Sequence, residues 1–300
     1  MNPHGTKHIL TPQLRAAALK SAKPATTRKN RRHLHGREKE LVAIGDLHGE
    51  LDGFLELLLH AGLIDGRARW KGGNKTLVQM GDVVDRGPHP VEVNNLLARL
   101  QREAEQKGGK VVRLLGNHEL ELLRGNLYLT TLPTLQAQEY HRQLACDILE
   151  GKVLAAYSQQ GYLFTHAGLT GEMLAMLCRD ADGMQPDEPA LADVINKIMV
   201  LAVMRGDYSH PIFNIGASRG GHNRHGGIFW EDVRELFASD GSAAIRQVVG
   251  HTPLRRVIQN DNNRLVAIDV GIFSGYGGGR AYVRIKQGKV AVVEISPATD

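Results

Sequence analysis

The feature that most constrains this 300-residue chain is a series of six short apolar runs, most of which close on glycine beside Asp, Asn or His. They are LVAIGD (41–46), TLVQMGD (76–82), KVVRLLGN (110–117), GYLFTHAG (161–168), IRQVVGHT (245–252) and RLVAIDV (264–270). Runs this short and this continuously apolar suit strands covered on both faces of a sheet. Helical patterns lie between them. Leu51, Phe54, Leu55, Leu58 and Leu59 follow helical spacing, as do Val93, Leu96, Leu97 and Leu100, and Gly108-Gly109 stops the second pattern. Asp46, Asp82 and Asn117 stand 36 and 35 residues apart, the length of one strand–helix unit, with no sequence repeat behind it. The alternation predicts an α/β fold with a largely parallel core.

Residues 119–160 and 170–205 read as helix-rich insertions. Residues 206–227 (GDYSHPIFNIGASRGGHNRHGG) are rich in Gly and His and poor in apolar residues, which predicts a surface loop near a site. No linker divides the body, so residues 38–300 are expected to form one domain. Residues 1–37 carry nine of the 37 Lys and Arg and no Asp or Glu, leaving 28 basic against 32 acidic residues, a net of −4, in the rest. The basic balance therefore belongs to a tail expected to be solvated and disordered. A body without basic excess argues against nucleic acid as partner. No run of 18 apolar residues exists to cross a membrane. Two cysteines, Cys146 and Cys178, read as reduced thiols and favour a cytoplasmic location. The acid-poor tail leaves an organelle transit peptide as the minority alternative.

Chemistry-bearing residues cluster at the run ends: Asp46 and His48 in GDLHG, Asp82, Asp85 and Arg86 in GDVVDRG, Asn117, His118 and Glu119 in GNHE, His166 in THAG, and His251 in GHTP. In extended backbone, Asp46 and His48 at i and i+2 would point the same way. In open α/β sheets, ligands bind outside the carboxyl ends of the strands. Asp46, His48, Asp82, Asn117, His166 and His251 together exceed the needs of one catalytic zinc, and two divalent ions sharing a carboxylate account for them. Mixed oxygen and nitrogen donors suit Mn, Fe, Zn, Co or Ni, with manganese the leading candidate.

These blocks resemble the signature motifs of calcineurin-like metallophosphoesterases. GDVVDRG and GNHE resemble the phosphoprotein phosphatase branch, and LLGNHELELLRGNLYLT, WKGGNKTLVQMGDVVDRG and RLVAIDVGIFSGYGGG resemble the bacterial-type, Shewanella-like phosphatases. The resemblance spans roughly residues 40–285. It implies a four-layered α/β/β/α sandwich around a dinuclear centre. Asp46, His48 and Asp82 would hold one metal, with Asp82 bridging, and Asn117, His166 and His251 would complete the second. A water or hydroxide between the ions would attack phosphorus. His118 would be the general acid, Asp85 its orienting carboxylate, and Arg86 a phosphate ligand. Glu119 is expected to be structural.

One departure stands out. Such phosphatases carry a second phosphate-binding Arg in a Trp-x-Arg pattern, and here Trp230 is followed by Glu231 and Asp232. Arg219, Arg224 and Arg234 are nearby substitutes that position alone does not rank, and Arg224 and Arg234 are taken as the expected substrate ligands. His222 and His225 read as solvated loop residues, and Asp269 as a support of the site or a turn residue. The function implied is a metal-dependent phosphomonoesterase acting on phosphorylated protein or peptide. The alternative, from nearly the same blocks, is a diadenosine tetraphosphate hydrolase.

Overall fold

The computed structural model describes residues 39–180, 187–239 and 244–295, so the basic tail lies outside the described residues. Among the described residues, eleven strands form two sheets and seven α-helices pack around them. The first sheet is built from β1 (Leu41–Ile44), β2 (Thr76–Gln79), β3 (Lys110–Leu114), β4 (Val153–Leu154) and the hairpin β10 (Ala281–Lys286) and β11 (Lys289–Glu294), in the order β11-β10-β1-β2-β3-β4. The second comprises β5 (Ala156–Gln159), β6 (Tyr162–Thr165), β7 (Gln247–Val249), β8 (Ile258–Gln259) and β9 (Leu265–Ala267), in the order β5-β6-β7-β9-β8.

The side-chain period of two lets each central strand bury both faces. Leu41 and Ala43 of β1 point inward, where they meet Val78, Val112, Phe164, Val248 and Val266 in the core between the sheets. Val42 and Ile44 point outward onto α1 (Leu51–His60) and α2 (Pro90–Gln106), against Phe54, Leu58, Val93, Leu97 and Leu100. Each such fully buried side chain contributes about 1.5–3 kcal/mol relative to exposure. On the far side, Leu163 of β6 packs beneath the insertions: α3 (Asn117–Leu123), α4 (Thr134–Leu149), α5 (Gly171–Asp180) and α6 (Glu188–Arg205). A last short helix, α7 (Val233–Ala238), covers Val249, Leu265 and Ala267. The expected α/β/β/α layering is therefore present, as are the helix-rich insertions.

One expectation needs correction. The apolar runs overstate the strands: β1 and β2 end at Ile44 and Gln79, and the Gly-Asp pairs lie in the turns beyond. The largely parallel core is present, with antiparallel strands added at its edges. β1 to β4 and β6, β7 and β9 run parallel, but β10 joins β1 antiparallel, and β5 and β8 are antiparallel edges. The β10–β11 hairpin turns through Gln287 and Gly288, both at positive φ, as a two-residue primed turn requires. No helix among the described residues is long and apolar enough to cross a membrane.

A buried ion pair fixes β3 relative to its helices. Arg113, 4% exposed, donates to Asp147 of α4 at 2.9 Å and to Asn94 of α2 at 2.6 Å. Removing one partner leaves an uncompensated buried charge. Arg113→Met should therefore lower stability by about 3–5 kcal/mol in urea denaturation, and adding Asp147→Leu should recover much of the loss. An unchanged midpoint for the single variant would contradict this account.

Candidate metal centre

The loops that leave β1, β2, β3, β6 and β7 converge at one end of the two sheets. Their backbones are unusual: His48, Asp82, Asp85, Arg86 and His251 all have φ between 45° and 70°. Non-glycine residues enter this region at a cost, and persist where the surroundings over-determine them. Here the restraint is visible. The amides of Leu47 and His48 both donate to the Asp82 carbonyl, at 3.0 and 2.8 Å, and Gly87 donates back to the His48 carbonyl at 2.7 Å. Glu119, at the start of α3, accepts from the amides of Asp82, Val83, Val84 and Gly116 at 2.9–3.1 Å. Glu119 is thus structural, as expected, and ties the β2 loop to the β3 loop. The extended-backbone argument for Asp46 and His48 does not hold, because β1 has ended and a left-handed turn at His48 sets the ring's direction.

Hydrogen bonding fixes which ring nitrogens face the centre. His48 Nδ1 lies 3.2 Å from the Val84 carbonyl, and His166 Nδ1 lies 2.8 Å from the Met80 carbonyl. A carbonyl only accepts, so each Nδ1 carries the proton and each Nε2 presents a lone pair. The His48 lone pair faces Asp82 Oδ2 at 3.6 Å. The His166 lone pair faces Asn117 Oδ1 at 2.9 Å, His251 Nδ1 at 3.1 Å and Asp82 Oδ1 at 3.6 Å. Asn117 Oδ1 also lies 2.9 Å from His251 Nδ1. One proton on His251 can reconcile only part of this convergence of acceptors. A ring whose outer N–H is anchored on a backbone carbonyl while its lone pair faces other acceptors is what a metal-binding histidine looks like.

Two groups form around one carboxylate. His48, Asp82 and His118 place ligand-type atoms within 4.8 Å of one another, and so do Asp82, His166 and His251. Asp82 alone belongs to both, the position a bridging ligand would take. Asp46, 2% exposed, accepts from the His251 amide at 3.1 Å and lies 3.9 Å from His166. Burial, then repulsion from Asp269 and Asp82, pushes its carboxyl well above the usual range. Burial alone would push Asp82 up as well, but the imidazoles of His166, His118, His48 and His251 outweigh it and hold the carboxyl low. Cations placed among these residues would relieve the carboxylate repulsion and the opposed lone pairs together, so the residues present fit a pair of divalent ions.

At the mouth, His118 Nδ1 meets Asp85 Oδ2 at 2.6 Å. Asp85 is held in turn by the Thr131 amide at 3.0 Å and by the Thr130 hydroxyl. Burial opposes protonation of His118, but Asp82 and Asp85 prevail and push it up to about 9. Asp269, 2% exposed, accepts from the Gly271 amide at 2.9 Å. It combines the two roles left open for it, capping a turn and adding negative charge beside Asp46.

The cleft, about 300 Å³, is lined by His48, Asp82, Asp85, Arg86, Asn117, His118, Arg219, Trp230, His251 and Tyr276 among others. Arg86 lies over the Tyr276 ring at 5.6 Å. The second cation in the cleft corrects the expectation for Arg224 and Arg234. The Arg234 side chain is 90% exposed and reaches only back to Asp232, while Arg224 lines a different cavity. Arg219 enters instead, held by Asp232 at 3.2 Å and by Thr252 Oγ1 at 2.5 Å. Asp232, two residues after Trp230, thus holds an arginine of the Gly-rich loop at the cleft wall. Trp230 and Tyr276, which sequence reasoning left without a role, wall the cleft beside His251 and His48.

Comparison with known proteins agrees with this geometry. The family model described as calcineurin-like phosphoesterase matches residues 40–275. Shewanella-like protein phosphatase 2 of Arabidopsis thaliana is 45% identical over 98 residues, 33% of this chain and 25% of that protein. A symmetrical bis(5'-nucleosyl)-tetraphosphatase of Baumannia cicadellinicola is 34% identical over 137 residues, 42% of this chain and 41% of that protein. The matched segment thus spans a quarter of the first relative and less than half of the second. The crystal structure of a cold-active protein-tyrosine phosphatase of a psychrophilic Shewanella species shares the fold, with a TM-score of 0.60 at 22% identity over 86% of this chain and 81% of that one. The chain belongs to the calcineurin-like phosphoesterase family, whose members are hydrolases that depend on a metal pair.

Gly116 shows how tightly the centre is built. A Cβ there would lie 2.1 Å from Asp82 Oδ1 and 2.2 Å from the Asp82 amide nitrogen. Gly116→Ala should stay folded by circular dichroism yet bind manganese about 10–100-fold more weakly in calorimetry. Unchanged affinity would remove Asp82 from the centre.

Proposed function

We propose that this calcineurin-like phosphoesterase is a manganese-dependent phosphomonoesterase acting on phosphorylated proteins or peptides. The observation that carries the reading is the His118–Asp85 pair, poised at 2.6 Å beside the Asp82-centred ligand set and opening into the same cleft. Asp46, His48 and Asp82 are assigned to one cation, and Asp82, Asn117, His166 and His251 to the other. Bound there, two divalent cations lower the pKa of water and neutralise the charge of a phosphate dianion.

The chain's own residues do the rest. Arg86 and Arg219 present planar guanidinium groups to the phosphate oxygens, which carry most of the charge in phosphoryl transfer. His118 keeps Nδ1 on Asp85, so its Nε2 proton is the one delivered to the departing alkoxide or phenoxide oxygen. Asp85 orients the ring and stabilises its charged form. Leu129 and Tyr276, 55% and 38% exposed on the cleft rim, offer apolar surface to the chain flanking a phosphorylated residue. The protein-phosphatase name of the Arabidopsis relative supports this substrate class, while the tetraphosphatase relative keeps the dinucleotide reading as the competitor.

With manganese, the protein should release phosphate from phosphoserine, phosphothreonine or phosphotyrosine peptides and turn over diadenosine tetraphosphate far more slowly. Negligible phosphopeptide turnover beside brisk dinucleotide cleavage would replace this reading with a dinucleotide polyphosphate hydrolase. His118→Asn should cut kcat on alkyl phosphates by about 10²–10⁴-fold and on p-nitrophenyl phosphate much less, since that leaving group needs no proton. Equal losses on both substrates would count against a general acid.

A further inference from the structure

A second convergence of donor atoms lies outside the cleft, where the Gly-rich loop meets α7. His225 Nδ1 and Glu235 Oε2 are buried and have no hydrogen-bond partner, and both carboxylate oxygens of Glu231, beside Glu235 and the Gly226 and Asp232 amides, form no well-aligned hydrogen bond. One ligand-type atom from each residue lies within 4.8 Å of the other two. Glu231 is 1% exposed. Glu235 Oε2 lies 3.7 Å from His225 Nδ1, too long for a hydrogen bond. Buried polar atoms are almost always paired, so several orphans aimed at one point call for a missing partner. That partner must satisfy two carboxylates and an imidazole lone pair together, which is the task of a cation.

We propose that His225, Glu231 and Glu235 bind a divalent metal ion, separate from the pair in the cleft. One imidazole nitrogen and two carboxylates form a three-ligand set with an open fourth position, which suits zinc. His225 and Glu235 are half-buried, which gives an ion a route in. On the loop side is a cavity of about 270 Å³ that includes His225, Glu172 and Arg224. Glu172 lies 3.9 Å from the other His225 nitrogen, too far for a hydrogen bond, and adds only negative charge beside the ring.

The site would have a positioning role. Glu231 sits between Trp230, whose ring lies against His251, and Asp232, which holds Arg219. An ion here staples the Gly-rich loop to the start of α7 and so fixes one wall of the catalytic cleft from behind.

Full-length wild type, Glu235→Gln and His225→Asn should be brought to equilibrium by dialysis against zinc and their metal counted by mass spectrometry. Each variant should hold about one ion fewer per chain than wild type and lose part of the zinc-induced rise in Tm. Neither residue lines the cleft, so the pair of ions there should remain. Equal metal content in all three proteins overturns the proposal. In that case Glu231→Gln should raise the Tm of metal-free protein, the signature of two carboxyl groups that merely share a proton.

Discussion

Everything at the catalytic end of this molecule depends on one carboxylate. Asp82 lies within reach of four imidazoles and stands at the junction of the two ligand groups. Its backbone is left-handed, its carbonyl receives the amides of Leu47 and His48, and its amide is claimed by Glu119. The loops after β1, β2 and β3 are therefore locked through the residue whose side chain they must place. Buried carboxylates with buried histidines at this density are unfavourable unless charge is balanced within the cluster. The strained turns and the lack of room at Gly116 are consistent with a site shaped for bound cations rather than for the empty protein.

Much of this was legible in the sequence because the candidate ligands sit just beyond the ends of buried strands, where continuous apolar runs announce both the strand and the place where it stops. The Asp, Asn and His residues that close those runs meet in space because parallel strands bring their carboxyl ends to one side. Other features carry weaker signals. The β10–β11 hairpin has a two-residue turn, but its outer strand is half-exposed and its pattern of alternation is faint. The left-handed turn at His48 has no signature in residue type, so extended spacing does not describe how Asp46 and His48 are placed. Arg219 was not separable from Arg224 and Arg234 by position alone. What decides among them is a hydrogen bond to Thr252 and an ion pair to Asp232, tertiary contacts that no local pattern encodes.

The Gly-rich loop and α7 join the cleft to the cluster of His225, Glu231 and Glu235 behind it. The loop supplies Arg219 to the cleft, the segment between loop and helix supplies Trp230, and Asp232 both caps α7 and holds Arg219. A surface segment of this composition has little apolar material with which to order itself. Its precision must come from outside contacts, and the acids on α7 with their neighbouring His225 are placed to provide them.

The strand pairing has a consequence for how the molecule comes into being. Leu41 of β1 faces Ile285 of β10, so a strand near the beginning of the described chain is completed by one near its end. During ribosomal synthesis the first turn of the centre emerges long before the neighbour that closes its sheet. Pairings this distant in sequence form late and slowly. The nascent chain must carry an unfinished sheet edge while the residues between β1 and β10 are made, an interval in which escort by a chaperone matters more than for a protein whose contacts are local.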